Sequence, residues 1–243
     1  DWDGSQAAMH ASAVMSILAG KSIGVAPDVA VTFYANQTFV GDHQPTWVYH
    51  AQAINEILDE NAKLPPAQRI RVIAVSWGYD PAMAGFQEIK AAVARAKQEG
   101  VFVLTTTVED DYPFFFYALG RDPLADPNDL RSYRPGSFWA DQFRSGSIFY
   151  RNRIMVPMDS RTTASPTGTS DYVFYRIGGL SWAIPYLEGL YALGLQVKPD
   201  LTPEEFYRAA VETGLYNEYT ENGMTYRLGP IVNPAALIRR LQG

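Results

Sequence analysis

The stretch that decides the fold is residues 178–189, GGLSWAIPYLEG, in which a glycine pair leads into a small and apolar run. Ser181 stands where that run begins, with Pro185 four residues later and Gly189 eight residues later. Proline lacks the N–H that a helix interior requires, so Pro185 fits best near the start of a helix. A glycine at position 189 lets another element pack closely against that helix. The pattern therefore predicts a buried helix that presents Ser181 in its first turn.

Ser181 has two interpretations at this position. A serine at a helix start commonly serves only as the N-cap. The same position favours negative charge, which suits a nucleophile that generates an oxyanion. A second serine, Ser170, ends the triplet GTS at residues 168–170, but no proline or glycine follows it at the matching spacing. We expect Ser170 to lie in a loop.

The composition bounds the class of protein. A chain of 243 residues with 47% hydrophobic and 19% charged residues is typical of a soluble globular protein, and we expect residues 1–243 to form one domain. No apolar run has the roughly 18–20 residues that a membrane-spanning helix needs. The net charge of −6 argues against nucleic acid as the main partner. The lack of cysteine excludes disulfides, thiolate metal sites and a cysteine nucleophile.

Hydrophobic periodicity indicates an α/β chain. Residues 7–18 are small and apolar at helical spacing, His10 lies in the first turn of that predicted helix, and GVAP follows at residues 24–27. We predict strands over residues 29–34, 70–76 and 101–107, and helices over residues 47–61 and 81–98. Short links between them predict a parallel sheet covered on both faces, with the chemistry at the carboxyl ends of the strands.

The sequence predicts a further helix start near the C-terminus. In the sequence TPEE at residues 202–205, Thr202 suits the N-cap, Pro203 the first helical position and Glu205 the capping-box acid.

These motifs together resemble those of the subtilisin-like serine proteases, or subtilases. The serine motif of that family, GTSMATPHVAG, agrees with residues 179–189 at its first Gly, its Ser, the next Ala, its Pro and its last Gly. The family's histidine segment, HGTHVAGIIAG followed by GVAP, is similar to residues 10–20 and 24–27, and His10 falls on the catalytic histidine. The resemblance implies a three-layer α/β sandwich with a mainly parallel central sheet.

The resemblance also implies a serine endopeptidase acting on a polypeptide substrate. His10 would be the general base, and Ser181 would attack a peptide carbonyl to form an acyl-enzyme that water hydrolyses. No cofactor and no metal site are implied, because the insertion that forms a strong calcium site in many relatives is absent. Bacterial secreted proteases often lack cysteine, so we expect a secreted or extracytoplasmic location. Two walls of the substrate cleft would be formed by Ser76, Trp77 and Gly78 and by Thr106, Thr107 and Val108.

Two departures from the family pattern bear on activity. Counted from Gly100, the asparagine that donates to the oxyanion is replaced by Glu109, whose ionised carboxylate would repel that oxyanion. Burial or the neighbouring acidic residues could keep Glu109 protonated, and activity would then favour acidic pH. The family's catalytic aspartate lies on a strand well before the histidine, whereas only nine residues, Asp1 and Asp3 among them, precede His10. Either that aspartate lies on a removed or separate N-terminal segment, or His10 works without it.

Two alternatives follow from these departures. The chain could be a catalytically inactive subtilase-like module used in binding or regulation. An unrelated α/β esterase is disfavoured, because the chain has no GxSxG elbow. The aromatic run FFFY at residues 114–117 has three possible roles. It could contact the substrate, pack in the core or form a surface that binds a partner.

Overall fold

The computed structural model describes residues 9–36, 39–40, 44–146 and 153–243. They divide into two compact units, one from the described residues of Asp1–Val29 and Phe114–Gly243 and the other from those of Ala30–Pro113. Among the described residues, no helix is both long and apolar enough to cross a membrane.

Helices and strands are interspersed along the described residues. The helices are α1 (Met9–Ala19), α2 (Val48–Asn61), α3 (Phe86–Gln98), α4 (Ala140–Arg144), α5 (Leu180–Val197), α6 (Pro203–Thr213) and α7 (Pro234–Leu241). The strands are β1 (Phe39–Val40), β2 (Gln44–Pro45), β3 (Val72–Val75), β4 (Phe102–Thr105), β5 (Phe115–Arg121), β6 (Tyr133–Pro135), β7 (Arg153–Pro157), β8 (Arg161–Ala164), β9 (Tyr172–Tyr175), β10 (Leu215–Glu221) and β11 (Met224–Ile231). Short 3-10 helices cover Pro66–Gln68, Val108–Asp110 and Leu130–Ser132.

The larger sheet lies in the first unit and has the strand order β10-β11-β7-β5-β6. Its central strands β5 and β7 pair in parallel, and β11 joins β7 in parallel through Ile231 and Met155. The outer pairs, β10 with β11 and β5 with β6, are antiparallel. The sheet is therefore mixed, with a parallel centre and antiparallel edges.

The aromatic run at residues 114–117 supplies the core of this sheet. Phe114 precedes β5 and the next three residues open it, and each of the four is at most 7% exposed. Central strands are covered on both faces, so these side chains face packed protein and not solvent. The core role is confirmed, and contact of this run with a substrate is wrong.

The second unit is built around β3 and β4, which pair in parallel from Val72 and Phe102 to Val75 and Thr105. Its core joins α2 and α3 to these strands through Trp47, Ile54, Leu58, Ile89, Val93 and Val103, with neighbours. The predicted helix over residues 81–98 begins only at Phe86. Gly85 before it has a left-handed φ of 82°, and its lack of Cβ admits the main chain of Val48.

The predicted strand over residues 29–34 is wrong. Residues 29–36 form no strand, and Val31 and Phe33 are 40% and 61% exposed. A β-branched and aromatic run becomes a strand only where a neighbouring strand supplies main-chain partners. In the described residues, β3 and β4 form a two-stranded sheet without a third member.

The helix start at residues 202–205 is confirmed in detail. The Thr202 hydroxyl accepts a hydrogen bond from the Glu205 N–H at 3.2 Å, and the Glu205 carboxylate accepts one from the Thr202 N–H at 3.2 Å. Pro203 is the first residue of α6. The reciprocal bonds satisfy two main-chain donors that a helix start otherwise leaves open.

Replacement of Thr202 by Ala should lower the free energy of unfolding by about 1 kcal/mol, because the N-cap acceptor is lost. Urea unfolding followed by circular dichroism measures the change. Thr202→Ser retains the hydroxyl and is the control, and equal losses in the two variants would show that the capping box does not stabilise α6.

Candidate active site

Ser181 is the second residue of α5, in the first turn as predicted. The N-cap is Gly179, whose backbone is extended (φ −133°, ψ 169°), and Ser181 is half-buried. Pro185 lies inside the helix and not in its first turn. The proline has no N–H to donate to the carbonyl of Ser181, four residues earlier. The absent bond would have joined the second turn of α5 to the first, so Pro185 affects only the start of the helix.

Gly189 allows a second segment to pack against α5, as the sequence predicts. A Cβ at position 189 would lie 2.7 Å from the Cβ of Val25. Val25 belongs to the GVAP turn, and its N–H donates to the carbonyl of Ile17 in α1 at 2.9 Å. The turn after α1 therefore sits directly on the serine helix.

Helix α1 packs along α5 through a small apolar cluster. Ala13 and Ile17 of α1 meet Trp182 of α5, and all three are at most 5% exposed. The Ser16 hydroxyl links α1 to β8, because it accepts a hydrogen bond from the N–H of Ala164 at 2.9 Å. The same hydroxyl donates to the carbonyl of Ala13 within α1 at 2.8 Å. The position of α1 is thus fixed against both α5 and β8.

His10 lies near the start of α1 and faces the residue beside Ser181. The centroid of its imidazole is 5.6 Å from that of the Trp182 ring. His10 remains exposed, but partial burial lowers its pKa from the usual 6.5, because desolvation disfavours the charged form. The lowered pKa favours the neutral imidazole, which is the form that accepts a proton. His10 and Ser181 therefore lie in the first turns of two helices that pack together, and His10 contacts the residue next to Ser181. Their roles as base and nucleophile stay predictions.

The carboxylate that would orient His10 is not among the described residues. No Asp or Glu in residues 9–36, 39–40, 44–146 and 153–243 hydrogen-bonds to this imidazole, whose ring contact is with Trp182. Asp1 and Asp3 lie outside the described residues. An aspartate on a removed or separate segment stays a prediction.

The predicted wall residues lie in the second unit, where β3 and β4 end. The N–H of Thr106 donates to the carbonyl of Trp77 at 3.1 Å, and a Cβ at Gly78 would lie 2.5 Å from the Thr106 hydroxyl oxygen. The Thr107 hydroxyl accepts from the N–H of Tyr79 at 2.9 Å. The two stretches therefore lie directly against each other, at the carboxyl ends of parallel strands.

Two of these side chains take part in the packing of the second unit. The Trp77 ring stacks on Trp47 with a centroid distance of 4.3 Å, and Val108 is 1% exposed. Ser76 is half-buried at the end of β3. The roles of residues 76–78 and 106–108 in substrate binding stay predictions.

Glu109 lies in the 3-10 helix Val108–Asp110 and is exposed. The nearby Asp111 forms an ion pair with Lys90, whose ammonium also donates to the carbonyl of Asp110 at 2.8 Å. The role of Glu109 at the oxyanion stays a prediction.

The structure confirms the prediction for one further serine and reveals one side chain that the sequence motifs missed. Ser170 is exposed in the turn between β8 and β9, as expected of a loop serine. Trp182, which no family motif singles out, proves to be the side chain against His10. Its signal in the sequence is a large aromatic residue directly after Ser181. Within the described ranges, no group of three or more His, Asp or Glu side chains could hold a metal ion.

Comparisons with known proteins support the fold. No family model and no curated protein matches the sequence. The protease domain of PatA is 18% identical, with 96% of this chain and 80% of that one aligned and a TM-score of 0.59. The A-subunit of the AB5 toxin from E. coli is 17% identical over 97% and 79% of the two chains, with a TM-score of 0.61. Fervidolysin from Fervidobacterium pennivorans, a keratinolytic enzyme related to subtilisin, is 18% identical over 95% and 36%, also with a TM-score of 0.61. The chain therefore has a subtilisin-like α/β fold.

The imidazole of His10 should titrate below pH 6.5, because partial burial disfavours its protonated form. NMR of the ring protons over a pH series measures this, with the His10→Gln variant to assign the resonance. Trp182→Phe, which keeps a ring against the imidazole, should leave the midpoint lowered. A midpoint at or above 6.5 in the parent chain would contradict the burial seen here.

Proposed function

We propose that this chain is a serine endopeptidase with Ser181 as nucleophile and His10 as general base. The observation that carries the proposal is the contact of the His10 imidazole with Trp182, the residue next to Ser181, at the start of two packed helices. Two proteins that share the fold are a protease domain and a keratinolytic enzyme. A polypeptide is therefore the substrate class that we propose.

The proposed reaction passes through an ester on Ser181. The neutral imidazole of His10 takes the hydroxyl proton as the Ser181 oxygen attacks the scissile carbonyl carbon. The imidazolium then gives this proton to the leaving amine, and the acyl group remains on the serine. Water, deprotonated by the same imidazole, cleaves the ester and restores both groups. The positive end of the α5 helix dipole favours the negative charge that develops.

The remaining parts of the site extend this proposal. We propose that a carboxylate on a removed or separate N-terminal segment supports the protonated form of His10, as the family resemblance implies. Residues 76–78 and 106–108 would contact the peptide main chain at the ends of β3 and β4. An extracytoplasmic location is the setting we propose for such an enzyme.

An inactive binding or regulatory module is the second candidate. The observation that favours it is the exposed Glu109 at the predicted oxyanion position. An ionised carboxylate there would oppose the developing charge, and loss of one oxyanion donor alone typically lowers turnover by about 10²–10³-fold. The two candidates differ in whether Ser181 reacts as an activated nucleophile.

A fluorophosphonate probe should label the chain at neutral pH, and Ser181→Ala should abolish the labelling, because the probe reacts only with an activated serine. Mass spectrometry of the digested protein locates the label. Ser170→Ala is the matched control, since Ser170 is exposed in a turn, and it should be labelled like the parent chain. A folded parent chain that takes no label, with any preceding natural segment present, would favour the inactive module.

Glu109→Asn should raise the rate of peptide hydrolysis at pH 7 by about 10²–10³-fold, because it replaces a repelling carboxylate with a hydrogen-bond donor. Hydrolysis of a fluorogenic peptide measures this rate. Asp110→Asn makes a similar change of charge on the next residue and should have a much smaller effect. Equal rates in Glu109→Asn and the parent chain would remove Glu109 from the oxyanion position.

A further inference from the structure

Asp159 is a buried carboxylate that lies outside the predicted site. It follows β7 after Met158, and 8% of its surface is exposed. A buried carboxylate is unfavourable unless it is paired or well hydrogen-bonded. In the part of the chain that the structure describes, no ion pair includes Asp159. Hydrogen bonds must therefore stabilise this side chain.

Three hydrogen bonds reach the carboxylate from two other segments. Its Oδ2 accepts from the main-chain N–H of Ser137 at 2.8 Å. Its Oδ1 accepts from the main-chain N–H of Gly178 at 2.7 Å and from the Ser137 hydroxyl at 3.2 Å. Hydrogen bonds to an ionised acceptor are about twice as strong as neutral ones. Asp159 thus ties the loop after β6 to the segment that leads into α5.

Glycines around Asp159 make this arrangement possible. A Cβ at Gly178 would collide with the carbonyl oxygen of Met158, and a Cβ at Gly120 would lie 3.0 Å from Oδ2 of Asp159. A larger residue at position 178 would push the main chain away from β7. The N–H of Gly178 reaches the carboxylate because residue 178 has no side chain.

Ser160, the residue after Asp159, fixes the backbone at the turn that carries the Asp159 carboxylate. Ser160 has a φ of 55°, in the left-handed region that residues other than glycine seldom adopt. Its hydroxyl donates to the carbonyl of Arg121 at 2.6 Å, and its N–H donates to the carbonyl of Arg176 at 3.1 Å. The Arg121 guanidinium in turn donates to the Ser160 carbonyl at 3.0 Å. Bonds on three sides hold this unusual backbone conformation in place.

The start of α5 needs such an anchor. Gly178 and Gly179 directly precede the helix, and glycine is the residue with the greatest backbone freedom. Gly179 as N-cap has no side chain that could cap the helix, and nothing lies within 4 Å of where its Cβ would be. Ser181 follows Gly178 by three residues, so a shift of Gly178 would move the serine.

We infer that Asp159 is a positioning residue for Ser181. Its carboxylate holds Gly178, and this fixes where the first turn of α5 presents the nucleophile. The inference rests on the proposed function, since it concerns the same serine, but it requires no contact between Asp159 and the substrate.

The test uses the full chain with Asp159→Asn, which keeps the side-chain shape but replaces one acceptor oxygen by an NH₂ donor. That donor would face a main-chain N–H, so one of the two main-chain bonds is lost. We expect the Gly178 amide to exchange with solvent about tenfold faster, and the rate constant of fluorophosphonate labelling at saturating probe to fall about tenfold. The pH midpoint of labelling should stay unchanged, because His10 is not altered.

Asp171→Asn is the matched control. It makes the same change of charge on an exposed residue before β9, and both rates should stay within about twofold of the parent chain. Urea unfolding of each variant measures how much of the sample is folded.

Each outcome separates the positioning role from the proposed function. A folded Asp159→Asn variant that labels at the parent rate overturns the inference. So does a smaller labelled fraction at an unchanged rate constant, because a merely structural role changes the amount of folded protein and not its reactivity. Unchanged exchange of the Gly178 amide also overturns the inference and leaves the proposed function standing. A parent chain without label overturns the proposed function, and Asp159 then has no nucleophile to position even if exchange at Gly178 accelerates.

Discussion

The packing of α1 against α5 is the contact on which the rest of the first unit depends. Ala13 and Ile17 approach Trp182 closely, and all three are nearly removed from solvent. Burial of a large aromatic side chain stabilises a fold by several times the thermal energy. The close contact of Gly189 with Val25 extends the same interface past the end of α1. These contacts hold His10 against Trp182, the residue next to Ser181, although α1 and α5 are far apart in the sequence.

Elements that are set by local sequence could be predicted. The serine helix was found from a glycine pair, a small apolar run and the spacing of Pro185 and Gly189. The start of α6 was found because a capping box involves only Thr202 and its next three residues. The strand over residues 29–34 failed for the opposite reason. Its apolar residues are a local pattern, but a strand forms only when it pairs with a strand from elsewhere in the chain. A local pattern does not indicate whether that partner strand is present.

The candidate site could be predicted in part for the same reason. His10 and Ser181 stand in recognisable motifs, so their helices and first-turn positions followed from the sequence. The contact of His10 with Trp182 depends on how two helices cross, which no motif encodes. Asp159 was missed because its partners, Ser137 and Gly178, lie 22 and 19 residues away in sequence. The only sequence signal of such a buried carboxylate is a single acidic residue directly after an apolar strand.

The first unit brings together residues from both ends of the chain, and this has a consequence for the newly made protein. α1 is translated before its partner helix α5, because Met9–Ala19 precede Leu180–Val197 in the sequence. Contacts between segments so far apart must close a large loop, which makes their formation slow. His10 and Ser181 can therefore be brought together only after α5 has been synthesised. Under the proposed function, translation and folding order would keep the unfinished protein from cutting itself or its neighbours.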